Sequence, residues 1–265
     1  MATKKTDIAK TTGTDMATDA RPDWMKDSNR GSENVTNNDI VLPRLQIIQD
    51  LSPQHKKSKP EYIEGAEAGM VFNTVSQELY DLPLQFIPVH FEVEYNVWKD
   101  QDCGGGFFGS FPTEAEANAE KVRVVNEQGE SDDELEVIDT FVHYVLIPRK
   151  DGTMEEAVIS MAKSQAKVSR KFNTMVKMAG GDRFSRVYAL DTVEDQNANG
   201  QEYYNYKITP KGFVGSKEQY EHAETVYEAI NSGMRKIDRN DGATEKQVQQ
   251  AEPTVADEGD QLDEF

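Results

Sequence analysis

One cysteine stands in a chain of 265 residues, and that scarcity removes several functions at once. With Cys103 alone there is no internal disulfide and no multi-cysteine metal site, and a reducing cytoplasm is the expected compartment. Histidine is scarce too. His55, His90, His143 and His222 lie far apart, with no H-x-x-x-H or H-E-x-x-H spacing for a metal. No G-x-S-x-G elbow occurs, and Gly104 to Gly106 lack the G-K-[ST] of a phosphate-binding loop. Nothing therefore points to an enzyme, a metal or a cofactor. No apolar run approaches the ~20 residues that cross a bilayer, and the N-terminus has no signal-peptide hydrophobic region. No membrane association is expected.

Positive charge is also short, with 29 Lys and Arg against 48 Asp and Glu, a formal net of −19. That balance favours solubility and opposes indiscriminate adhesion to nucleic acid. The cations that exist are not spread evenly. Between Ser160 and Leu190 stand Lys163, Lys167, Arg170, Lys171, Lys177, Arg183 and Arg186 against one acid, Asp182. The segment is net +6, which leaves −25 for the rest of the chain. A solvated helix face is the plain reading. Yet an acidic protein has no solubility reason to gather seven cations in one unit. An anionic polymer, or the chain's own acidic end, is the natural counterpart.

Both ends are poor in core-forming residues. Residues 1–38 are rich in Thr, Asp, Asn, Ser and Lys, and residues 239–265 are polar and acidic. Such compositions cannot offset their ordering entropy and match disordered segments. Residues 39–238 remain for one domain.

Inside that domain, "LQFIPVHFEVEYNVW" alternates as a strand, with Ile87, Val89, Phe91, Val93, Tyr95 and Val97 on one face and Glu92, Glu94 and Asn96 on the other. "VIDTFVHYVLIPRK" is a second strand, and Asp151-Gly152 suggests a two-residue type I′ hairpin into the return strand "EEAVISM". The helix "SMAKSQAKVSRKFNTMVKMAGG" puts Met161, Val168, Phe172, Met175 and Val176 on one face and its cations on another arc. "RFSRVYAL" and "YYNYKITP" read as strands joined by the polar loop "DTVEDQNANGQE". A last helix starts at a Ser216/Gln219 capping box, with Tyr220, Ala223, Tyr227 and Ile230 as its apolar stripe. The expectation is a mainly β fold with flanking helices. Its order, five strands with a helix between the third and fourth, is that of the OB-fold barrel, which binds oligonucleotides along one face.

Candidate contacts to a single strand fall in four places. "VWKDQDCGGGFFGSF" offers Trp98, Phe107, Phe108 and Phe111 around three glycines that imply a mobile loop or a close approach, with Lys99 beside them. Arg149 and Lys150 occupy the hairpin, Lys163, Lys167, Arg170, Lys171 and Lys177 the helix, and Tyr203 and Lys207 the strand "QEYYNYK". Bases stack on aromatic faces while cations follow the phosphates. Packing at the barrel mouth is the competing reading of the aromatics.

The terminus "ADEGDQLDEF" resembles the acidic, phenylalanine-ended tails of single-stranded DNA-binding proteins, both bacterial and of T7-type bacteriophages. "IPVHFEVEYNVW", the glycine-aromatic loop and "SMAKSQAKVSRKFNTMV" are similar to phage-encoded proteins of that class. The resemblance implies an accessory of replication and recombination in the host cytoplasm. It implies recruitment of polymerase, helicase-primase or nuclease through Asp257, Glu258, Asp260, Asp263, Glu264 and Phe265, and it leaves a homodimer among the oligomeric states. The final proline of the bacterial tails is missing before Phe265. A phage structural or assembly protein, and a DNA mimic, remain the rival readings.

Overall fold

The computed structural model describes residues 30–36, 40–100, 103–149, 152–197 and 200–233. The chain divides into Met1–Thr36 and Asn37–Phe265. In the first unit, residues 30–36 form a turn in which Val35 N donates to Ser32 O (3.1 Å) and Gly31 N to the Glu33 carboxylate. Residues 1–29, 37–39 and 234–265 lie outside the described residues, and with them the expected disorder of both ends.

In the second unit, three short strands, β1 (Leu45–Ile47), β2 (Val71–Asn73) and β3 (Leu79–Tyr80), form an antiparallel sheet. The main sheet is built on β4 (Leu84–Lys99), whose alternating β-branched and aromatic residues suit a pleat. β5 (Gly106–Phe111) pairs with its C-terminal end, and α1 (Glu114–Gln128) follows. β6 (Leu135–Pro148) pairs with Ile87–Lys99 along the other edge of β4, and β7 (Met154–Ala162) extends the sheet beyond it. α2 (Ala166–Ala179) then leads to β8 (Arg186–Gln196), β9 (Glu202–Phe213) and α3 (Lys217–Asn231). β8 pairs with β4 only over Leu84–Phe86, and the order is β7-β6-β4-β8-β9 with β5 beside β4. The fold is mainly β with three helices.

The sheet is not a closed barrel. Its two ends, β7 and β9, share no ladder among the described residues. Residues 43–49 bridge them instead. Val158 N of β7 donates to Pro43 O, and Arg44 makes a parallel bridge to Val158. Six residues on, the Gln49 side chain donates to Tyr204 O (2.7 Å) and accepts from Tyr204 N (2.8 Å) on β9. One amide thus satisfies both backbone groups that a further strand would have taken.

Two apolar clusters lie on opposite faces. Phe86, Val145, Ile147, Ala157, Ile159, Met161, Phe172 and Tyr188 pack with the small sheet and α2. Ile87, Val89, Val142, Tyr144, Leu146 and Val158 pack with Phe184 and with Ala223, Val226, Tyr220, Tyr227 and Ile230 of α3. The split corrects the expected phase of β4. A bulge between Pro88 and His90 shifts the register, so Ile87 pairs with Leu146 on one face while Phe91 pairs with His143 on the other. Nor do the polar positions all point to water. Glu94 and Asn96 are buried, the first accepting from Ser110 Oγ (3.2 Å) and the second donating to Thr140 Oγ1 (2.7 Å).

Three other expectations change. The hairpin after β6 closes three residues rather than two, because Arg149 N donates to Thr153 O and Gly152 N to Arg149 O. The expected loop at 191–202 is strand over 191–196 and at 202, with Asp191 opposite Lys207 and Asp195 opposite Tyr203. Met161 lies in β7, opposite Phe141, instead of starting the helix, which begins after a 3-10 turn at Lys163–Gln165.

Candidate nucleic-acid interface

Where the cations of α2 point follows from its spacing. Phe172 and Ser169 are buried, and Val168, Met175 and Val176 pack on the first core cluster. Lys167, Arg170, Lys171 and Lys177 occupy the opposite arc and are exposed. Residues three, four, seven and ten apart share a helix face, so these four form a row about 15 Å long. None of the four makes an ion pair with a described residue. Lys167 does lie close enough to help hold the Asp195 carboxyl below its usual range, after the larger effects of Asn205, the Gln196 backbone and Tyr203.

The other cations of the segment are spent within the fold. Lys163, in a left-handed conformation (φ 45°), pairs with Glu136 at 3.0 Å. Arg183 points inward, donating to Asn173 Oδ1 (3.0 Å) and His143 Nδ1 (2.8 Å) between the rings of Phe91 and Phe172. Burial lowers its guanidinium to about 10. Arg186 lies under the ring of Phe213 at 4.3 Å, and its Nη2 reaches Ala179 O at 3.5 Å.

The remaining expected contacts are dispersed. Trp98 is only 3% exposed and packs on Phe107 with ring centroids 4.5 Å apart. It supports the β4–β5 pairing and offers no free face, a correction to its expected stacking role. Phe107, Phe108 and Phe111 are half-buried on β5, and Gly106 begins that strand rather than ending a mobile loop. Lys99 is tied to Glu130 and Glu134 after α1. Arg149 is held by Glu78 (2.6 Å) and Glu155 beside the Tyr80 ring. Tyr203 is buried and donates to Asp195 (3.0 Å), while Lys207 is exposed. Lys150, Asp257, Glu258, Asp260, Asp263, Glu264 and Phe265 lie outside the described residues.

One aromatic escaped the sequence reading. Phe213, at the end of β9, is 71% exposed and is the only exposed Phe, Tyr or Trp among the described residues. Its signal was faint, a single ring in "TPKGFVG" without alternation around it. Only the β8–β9 register, which sets Arg186 opposite Phe213, joins it to the end of α2.

The family model described as "Pam3 phage gp34-like protein" matches residues 11–236. The chain belongs to that family of phage proteins. No curated protein and no solved structure matches it. Among the described residues no helix is long and apolar enough to cross a membrane.

Proposed function

We propose that this chain is a single-stranded DNA-binding protein of a phage. Phosphates lie along α2 and bases stack beside it, and the acidic tail ending in Phe265 recruits replication or recombination proteins. The protein is a binder, not an enzyme. One observation carries the reading: four exposed cations that make no ion pair with a described residue stand in a row on a chain of net −19. On so acidic a molecule, an unneutralised row favours an extended polyanion.

The topology supports the OB-like part of the proposal. Of the strands expected as first to fifth, β4, β6, β7, β8 and β9, the first pairs with the second and fourth, the second with the third, and the fourth with the fifth. α2 stands between the third and fourth. The single pairing that would close such a barrel, third with fifth, is the seam that residues 43–49 span. OB barrels are often partly open.

The test is a salt titration with labelled oligo-dT. Each phosphate neutralised on a single strand contributes about 0.7 to the slope of log K against log salt. Replacing Lys167, Arg170, Lys171 and Lys177 together by alanine should therefore flatten the slope by about 3. An unchanged slope removes α2 from the site. A wild-type chain that ignores oligo-dT at low salt turns the reading to a structural or assembly role.

A further inference from the structure

We propose that the Phe213 ring is a stacking platform for one unpaired nucleobase at the C-terminal end of the cationic row. The inference rests on the single-strand reading above and names where a base would sit.

An exposed ring is not by itself a site, since single apolar residues are common on surfaces. Phe213 differs in how it is held. The Arg186 guanidinium lies 4.3 Å from its centroid and fixes one face, while the ring as a whole stays 71% exposed. A ring braced in this way has little freedom left to lose when a second planar group stacks on it. The same guanidinium reaches Ala179 O, the last residue of α2, so one side chain links the platform to the helix. Lys177, two residues earlier, is exposed, and so is Lys211, two residues before the ring.

The neighbours select the occupant. A ring alone would accept any flat or apolar group. With Lys211 two residues away on its own strand, and joined through Arg186 to the end of the helix that carries the cationic row, it favours a planar group carried on an anionic chain. A base attached to its phosphates meets both demands, whereas an apolar peptide meets only the first. Of the rings expected to stack, Trp98 and Tyr203 are buried, and Phe107, Phe108 and Phe111 are half-buried on β5.

The experiment compares the full chain with Phe213→Ala and Phe213→Trp, using oligo-dT and an abasic strand of equal length. F213A should bind oligo-dT about 10-fold more weakly with an unchanged salt slope, and should bind the abasic strand as the wild type does. F213W should add an emission that oligo-dT quenches and the abasic strand does not. Equal binding of oligo-dT by F213A, or no quenching in F213W, overturns the platform and leaves the cationic row standing. An equal loss on the abasic strand also overturns it, because the ring would then act without a base. A wild-type chain that binds neither strand overturns the underlying reading instead. The exposed position keeps the fold out of question, and a thermal melt of each variant checks this.

Discussion

Acid should loosen the node that seats the cationic helix on the sheet. His143 on β6 is fully buried, with Nε2 at 2.8 Å from Ser169 Oγ of α2 and Nδ1 at 2.8 Å from Arg183 Nη2. A guanidinium nitrogen only donates, so Nδ1 accepts and the ring proton sits on Nε2, donating to Ser169. Protonating Nδ1 would set two cationic donors face to face in a dry site. Burial, and then the Arg183 charge, push the imidazole down to about 3 from its ordinary 6.5. The folded protein therefore keeps His143 neutral where the unfolded chain takes up a proton. Stability is full above about pH 6.5 and falls as pH drops toward 3, at ~1.4 kcal/mol per pH unit. Between about pH 7.5 and 4.5 the loss from this group is about 2.7 kcal/mol, a large part of a typical domain's 5–15. Urea unfolding across that range should show it, and His143→Gln should abolish that part. Glutamine keeps one acceptor for Arg183 and one donor for Ser169 without titrating. Parallel pH dependences in the two proteins would refute the assignment.

Two further outcomes follow from the same geometry. Replacing Gln49 by alanine removes both hydrogen bonds at the β9 edge and should cost about 1–3 kcal/mol, with faster amide exchange at Tyr204. Unchanged protection there would mean that the seam is held elsewhere. Lys99→Ala and Arg149→Ala remove cations already tied to carboxylates, so the salt slope of oligo-dT binding should stay within about 0.5 of wild type. A drop approaching that of the α2 variant would place those residues on the strand.

The elements legible in the residues were those with a clear period. β6, β7, α2 and α3 carry their apolar residues at spacing two or near 3.6, and the two cores bury those residues. α1 went unread because it buries little, only Ala117 and Val124, although Thr113-x-x-Glu116 is a capping-box pattern and Gly129 stops the helix at φ 75°. β5 hid behind three glycines. The 191–196 half of β8 hid because its polar side chains bond across to β9, as Glu194 does to Tyr204 and Asp195 to Tyr203. No alternation survives where neither face is a full core.

Residue types alone determined the segregation of charge. Seven cations within one stretch of sequence are a property of the chain, and helical spacing is enough to part the four on α2 from Phe172 and Val168. Which of them remain available was decided by tertiary neighbours far away in sequence: Glu136 for Lys163, His143 for Arg183, and Phe213 for Arg186. The same holds for the rings, since Trp98 is covered and Phe213 is not. Periodicity reports which side of an element faces inward, because that repeats every few residues. Partnership between side chains depends on strand register and on bulges such as the one at Pro88–His90, and these are set only when the sheet assembles.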